Sequence, residues 1–345
     1  MTSQDNTGTG SAASPGTTDK KHRILSGMRP TGRLHLGNLV GALENWVQHQ
    51  DTCENYHLVA DWHVLTTAVE KSAEIAENSR DMIIDWLGAG LDPAKSPMFI
   101  QSQIKEHAEL HLLFSMLVSV ARLERNPTVK EQARDLKLEA TMSYGHLGYP
   151  VLQAADILLY KANLVPVGED QLPHIEMTRE IARRFNNHFG PVFPEPEGKL
   201  TVFPRLPGLD RNRMSKSLGN HILLSEEPEN LEKKIRGAIT DEKKLRKNDP
   251  GHPDVCIIFT YHKKFNPADV PEIETECKSG ALGCVACKKN LTEKLTNYLA
   301  PFRTARAHYT AHPDEITDIL KDGEIRARVI AQETMDEVRS AMQMG

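Results

Sequence analysis

The stretch SGMRPTGRLHLGNLVGALENWV, Ser26 to Val47, reads as the end of a strand, a turn rich in glycine and proline, and a helix opening near Leu36. Leu39, Val40, Leu43 and Val47 recur at helical spacing and predict a core-facing stripe. Strand, glycine turn and helix N-terminus together make an anion site, because unpaired backbone N–H groups and the positive helix end point at the ligand. A triphosphate is the natural guess. Gly37 leaves room for a nucleotide near the backbone, while His35 and Asn38 can donate hydrogen bonds to charge building on a phosphate. Taken alone, the same four residues serve equally well as a His and an Asn capping a helix.

Outward from this stretch, short apolar runs alternate with helical patterns. YHLVADWHVLT (Tyr56–Thr66) and MFIQS (Met98–Ser102) look like buried strands, while Ile75, Met82, Ile83, Trp86 and Leu87 share one face of a helix that stops near Gly88 and Gly90. This alternation predicts an α/β fold, a parallel sheet with helices on both faces. Beyond residue 211 the strand signals nearly vanish. The expected organisation is a disordered tail over 1–21, an α/β domain over 22–210, a mobile loop over 211–225 and a mostly helical domain over 226–345, whose last helix has the option of packing back on the first domain.

Composition bounds the class. A chain of 345 residues has length for two domains, and its net charge of −5 argues against indiscriminate nucleic-acid binding while leaving local basic patches free to dock one RNA. No apolar run approaches the roughly 20 residues that span a bilayer, and five cysteines are too few for a disulfide scaffold. These features predict a cytoplasmic protein with no membrane partner.

A second phosphate-handling element is RMSKS, Arg213 to Ser217, bracketed by Pro204, Pro207, Gly208 and Gly219. Two cations and two hydroxyls on a flexible segment can close over phosphates, with Lys216 neutralising the charge that develops as pyrophosphate leaves. The alternative is a solvated basic loop.

The two segments resemble the HIGH and KMSKS signatures of class I aminoacyl-tRNA synthetases. YPVLQAADILLY, LVPVGEDQLPHIEMTREIARRFN and EKKIRGAITD narrow the resemblance to the tryptophanyl-tRNA synthetases, bacterial type, from about Ile24 to the C-terminus. The resemblance implies a Rossmann-like catalytic domain, a helical anticodon-binding domain and a homodimer. It also implies joining of L-tryptophan to ATP, with Mg²⁺, and transfer of the amino acid to tRNA(Trp). His35, Asn38 and Lys216 would be catalytic; Arg29, Pro30, Thr31, Gly37, Gly168, Glu169, Asp170, Arg213, Met214, Ser215 and Ser217 would line the ATP site.

By the same resemblance Asp156 would accept the indole N–H, Tyr149 and Gln171 would hold the amino group, and Gln153 would line the pocket. Tyr149, Gln153 and Asp156 are spaced i, i+4, i+7, so one helix face can present all three. An Asp amid AADILLY is equally a buried structural carboxylate, and Glu169 and Asp170 are equally helix caps. Two departures stand out: Arg213 replaces the usual Lys, and Gln153 replaces an apolar residue. Tyrosyl-tRNA synthetase is the nearest alternative, followed by a superfamily nucleotidyltransferase without a tRNA partner. A non-catalytic RNA-binding or iron-sensing derivative would lack His35, Asn38 or Lys216. The basic run from Lys233 to Lys247 is either a tRNA-facing surface or a solvated helix face.

Cys256-x20-Cys277-x6-Cys284-x2-Cys287 supplies four soft ligands, suited to zinc or an iron–sulfur cluster. Only Cys284 and Cys287 have the short knuckle spacing of structural zinc. A subset of the family carries a [4Fe–4S] cluster with similar spacing, which makes the cluster the expectation and Zn²⁺ the alternative. Cys53 has no partner nearby in sequence.

Overall fold

The computed structural model describes residues 22–200, 206–246 and 248–344; the predicted tail lies outside the described residues. The elements run β1 (Arg23–Met28), α1 (Leu36–Asn38), a π-helical turn (Leu39–Leu43), α2 (Glu44–His49), β2 (Glu54–Val59), α3 (Asp61–Leu65), α4 (Ile75–Gly88), β3 (Met98–Ile100), α5 (Glu106–Ser115), α6 (Val120–Glu124), α7 (Pro127–Asp135), α8 (Tyr144–Leu159), β4 (Leu164–Val167), α9 (Leu172–Phe189) and β5 (Glu197–Leu200). The rest of the described chain is helical: α10 (Pro228–Gly237), α11 (Ile257–Phe265), α12 (Val270–Ser279), α13 (Cys284–Ala311) and α14 (Pro313–Ala341).

The five strands are parallel in the order β3-β2-β1-β4-β5. β1 therefore sits in the middle, paired with β2 from Arg23↔Glu54 to Met28↔Val59 and with β4 at Ile24↔Leu164. The strand order reverses at β1, and such a reversal opens a crevice at the carboxyl ends of the strands. The α/β expectation holds.

Two local expectations change. Tyr56–Thr66 is strand only as far as Val59 and then turns into α3, because Asp61 at the strand's carboxyl end accepts N–H bonds from Trp62 and Ser102 at 3.0 Å each and so closes a turn. In the signature helix Leu39, Val40 and Leu43 are buried as the periodicity predicts, yet Val47 is only half-buried and Trp46 fills the core. Trp46 stacks on His57 at 4.4 Å and meets the edge of Trp86 at 5.2 Å, a larger apolar gain than Val47 offers.

The two apolar cores follow the faces of the sheet and not the order of the chain. One combines Leu25, Leu58 and Val165 with α5, α8 and α9 and with Ala327, Ala331, Met335 and Val338 of α14. The other combines Leu36, Leu43, Met82, Ile83 and Trp86 with Leu291, Leu295 and Leu299 of α13. Both faces are thus completed by helices from beyond residue 280. α14 also covers the edge strand β3: Arg326 donates to the carbonyls of Pro93 and Ala94, and Arg328 to that of Gln103. Gly323 makes the crossing possible, since a Cβ there would lie 1.9 Å from the Met98 carbonyl oxygen.

Gly323→Ala is therefore expected to destabilise the fold by about 1–3 kcal/mol through overpacking, despite Ala's better helix propensity. A urea midpoint equal to or above that of the parent would contradict this packing.

Candidate active site

The crevice beside β1 is lined by Arg29 at the end of β1, by Tyr149, Gln153 and Asp156 of α8, by Gly168, Asp170 and Gln171 after β4, and by Arg213. The spacing argument for α8 is realised, and Ser143 starts that helix by accepting the His146 N–H. Gly168 opens the turn into α9 with its Cα hydrogen towards Asp170, where a Cβ would come within 2.8 Å of Oδ1. Glu169 and Asp170 are exposed at this second strand–turn–helix junction.

At the first junction the two signature segments meet. Lys216 Nζ donates to the carbonyls of Thr31 at 2.6 Å and Arg33 at 3.1 Å, across the turn where Gly32 has φ +100°. A left-handed φ favours glycine at that position. The Gly37 N–H meets Met214 Sδ at 3.3 Å, and Asn38 Oδ1 accepts the His35 N–H at 3.0 Å. The strand-like bridge His35↔Leu223 continues the contact, with Leu36 N–H bonded to Ile222 O and Leu224 N–H to Leu34 O. Ser215 and Ser217 share a hydroxyl bond at 2.8 Å. Pro30 is buried and Thr31 exposed at the turn.

Charge tunes this corner. Burial pushes the His35 imidazole down to about 4, with Lys216, His221 and Arg213 adding to the effect, so it is neutral at pH 7. Its Nδ1 is buried without a hydrogen-bond partner, the kind of orphan that a ligand satisfies. Burial also lowers Lys216, an effect that Asp85 opposes.

Asp156, 4% exposed, is the floor of the crevice. His107 Nδ1 donates to its Oδ1 at 2.7 Å, His63 Nε2 to its Oδ2 at 2.9 Å, and Gln101 Nε2 reaches both oxygens. Burial opposes its charge, but the bonds from His107 and His63 outweigh that and hold the carboxyl below the usual range. The three donors make four contacts, two on each oxygen, so a further donor would take the place of one arm of the forked Gln101 contact. The Tyr149 hydroxyl pairs with His174 Nε2 at 3.0 Å, Gln171 Nε2 donates to Asp170 at 3.1 Å, and both side chains line the crevice.

Several members of the site escape sequence reading. Asn220 ties the RMSKS segment together: its Oδ1 accepts the Ser215 N–H, and its Nδ2 donates to Asp210 and the Arg213 carbonyl. Gly208 accommodates it, for a Cβ there would lie 2.4 Å from Asn220 Nδ2. His63, Gln101 and His107 come from three separate elements. The only available signal was polar residues inside apolar runs, as in ADWHV.

The four cysteines gather where the segment before α11, the end of α12 and the start of α13 meet. Burial raises the Cys287 thiol to about 12, with Cys256, Cys277 and Cys284 adding to it; Cys256 and Cys277 are raised in the same sense. Mutually destabilised thiolates beside half-buried Lys288 and buried Lys244 are the donor set that a soft cation would relieve. Gly251 fits against Cys277, where a Cβ would come within 2.5 Å of Sγ. Among the described residues, the group whose metal-ligating atoms all lie within 4.8 Å is instead the exposed trio His308, His312 and Glu315, joined by a His308–Glu315 hydrogen bond at 2.9 Å. Of the basic run, Lys234 and Lys244 are engaged with Glu226 and Asp249, Lys233, Arg236, Lys243 and Arg246 are exposed, and Lys247 lies outside the described residues. Among the described residues no helix is long and apolar enough to cross a membrane.

The family model "tRNA synthetases class I (W and Y)" matches residues 17–300. A tryptophan–tRNA ligase from Thermotoga maritima is 49% identical over 93% of this chain and 99% of its own length, and one from Aquifex aeolicus is 43% identical over 93% and 100%. A Campylobacter jejuni tryptophanyl-tRNA synthetase structure, complexed with ADP and tryptophane, is 32% identical with a TM-score of 0.84 over 93% of this chain and 99% of that one. A tyrosyl-tRNA synthetase from Archaeoglobus fulgidus, at 22% identity and a TM-score of 0.67, shares the fold. Signature segments that meet over one crevice, a matching family model and relatives similar along nearly their whole length place the chain in the class I tRNA synthetases, among the tryptophan–tRNA ligases.

Proposed function

We propose that the protein joins L-tryptophan to ATP and then to tRNA(Trp). The observation that carries this reading is the closure of Lys216 over the Thr31–Arg33 turn, beside a crevice floored by the buried, ionised Asp156. The indole N–H is a donor only, so this buried acceptor reads it by displacing one arm of the forked Gln101 contact. Tyr149 and Gln171 hold the amino group, and Gln153 lines the crevice.

In the first step a carboxylate oxygen of tryptophan attacks the α-phosphorus. A new O–P bond forms as the bond to pyrophosphate breaks. Mg²⁺ bound with ATP would supply neutralisation of phosphate charge. The chain supplies position and donors: Arg29, Pro30, Thr31, Gly37, Gly168, Glu169 and Asp170 shape the nucleotide site, neutral His35 and Asn38 donate N–H groups, and the Lys216 ammonium exchanges its carbonyl partners for developing phosphate charge. Arg213, Met214, Ser215 and Ser217 carry Lys216 there, a role that calls for a mobile 211–225 segment. In the second step a terminal ribose hydroxyl of the tRNA attacks the acyl carbon and AMP leaves.

For the tRNA we assign residues 226–345, with Lys233, Arg236, Lys243 and Arg246 facing phosphates. A homodimer is part of the proposal. Leu112, Met116, Val120 and Tyr144, between 56% and 71% exposed along α5, α6 and the start of α8, form the kind of apolar surface that a second copy covers. Cys256, Cys277, Cys284 and Cys287 would hold a [4Fe–4S] cluster, with Zn²⁺ as the alternative ligand. The cluster would brace three chain segments and contribute nothing to adenylate chemistry.

Tryptophan-dependent ATP–pyrophosphate exchange is the direct test. Exchange with tryptophan and not tyrosine is expected, and Lys216→Ala should cost about 3 kcal/mol of transition-state stabilisation; preference for tyrosine would overturn the assignment. Anaerobically purified protein should absorb broadly near ~400 nm, and colourless protein with stoichiometric zinc would decide for the alternative. Cys284→Ser should spare exchange and weaken tRNA charging.

A further inference from the structure

Asp85 lies on α4, 3% exposed, and belongs to neither signature. Its Oδ2 accepts the Leu34 N–H at 2.7 Å, and its Oδ1 accepts Arg306 Nη1 of α13 at 3.2 Å. Arg306 Nη2 also bonds Asp81, which faces Arg33 Nε at 3.5 Å. Leu34 immediately precedes His35, and its carbonyl accepts Leu224 N–H, while Lys216 rests on the neighbouring carbonyls of Thr31 and Arg33. The turn that carries His35 and receives Lys216 is therefore anchored to α4 by the buried Asp85 and the more exposed Asp81, and Asp85 is in turn held by a cation from a helix 221 residues further along the chain.

We propose that Asp85 and Arg306 are positioning residues for ATP: the buried carboxylate fixes the Leu34 backbone, and with it His35 and the landing place of Lys216, while Arg306 keeps that carboxylate ionised. The proposal rests on the adenylate-forming reading above. Several charges face Asp85. Asp81 lies on its own helix, Arg306 on α13, Arg33 on the turn and Lys216 on the RMSKS segment; Glu77, Arg80 and Tyr309 line the adjoining recess. Burial raises its carboxyl to about 6, against the downward pull of the Leu34 N–H and Arg306, with Asp81 adding to the rise. Removing Arg306 subtracts a downward influence, so the carboxyl takes up its proton at higher pH. That loss also withdraws the negative charge that supports the Lys216 ammonium. His35, held down at about 4, stays neutral through this range.

The test is tryptophan-dependent exchange from about pH 5.5 to about 8.5, with KM measured separately for ATP and tryptophan. Arg306→Gln should move the acid limb up by about one pH unit and raise KM for ATP about tenfold near pH 6, leaving KM for tryptophan little changed. Arg306→Lys should restore much of the limb, because the counter-charge returns. Asp85→Asn should weaken ATP at every pH and remove this group's limb, which keeps the proposal testable if Arg306→Gln folds poorly. An unshifted limb in Arg306→Gln, an unchanged limb and KM for ATP in Asp85→Asn, or equal losses for ATP and tryptophan, would overturn the proposal alone. A parent protein without tryptophan-dependent exchange would overturn the functional reading first and the proposal with it.

Discussion

Everything in this molecule depends on the position of β1. It is the middle strand of a parallel sheet whose order runs away from it on both sides, β2 and β3 one way, β4 and β5 the other. Chain leaving β1 and chain leaving β4 must therefore diverge, and the space between them is where backbone N–H groups and helix N-termini are left to face a ligand. α8 lines that space with Tyr149, Gln153 and Asp156, and the RMSKS segment reaches it through Arg213. The helices beyond residue 280 complete both cores, so the crevice is braced from the far end of the chain.

Two buried carboxylates show how that bracing works. An unpaired charge removed from water costs several kcal/mol, so each must collect its donors wherever the fold can supply them. Asp156 draws His63 from α3, Gln101 from the turn after β3 and His107 from α5, which ties three elements to α8 and makes the crevice floor rigid. Asp85 draws a backbone N–H from the turn after β1 and a guanidinium from α13. Both keep their charge by cross-linking, one at the floor of the crevice and the other behind the turn that follows β1.

Much of the site was legible because its chemistry is local. Gly32, Gly37, His35 and Asn38 lie within one turn, and Lys216, Met214 and the two serines within another. A strand followed by a glycine turn and an apolar helical stripe has few ways to fold. Val47 was misjudged because periodicity counts a Val and a Trp as similar apolar positions, whereas Trp46 gains a stack with His57 and an edge contact with Trp86. The strand over Tyr56–Thr66 was overextended because alternation cannot register that Asp61 finds the Ser102 N–H from a different crossover. The relation of α14 to β3 was open for the same reason, since only Gly323 hints at a close approach and a lone glycine has many uses.

By itself, then, the sequence determined the class of fold, the two signature segments, the helix face bearing Tyr149, Gln153 and Asp156, and the spacing of four cysteines. Each of these is a pattern within a few turns of chain, where spacing alone dictates which side chains share a face. Only the tertiary structure decided that Asn220 pins the RMSKS segment, that three donors make two contacts to each oxygen of Asp156, and that Arg306 stands behind Asp85. Those pairings link residues far apart in the chain, and a polar side chain has no readable role until burial removes its water and leaves it one partner to satisfy.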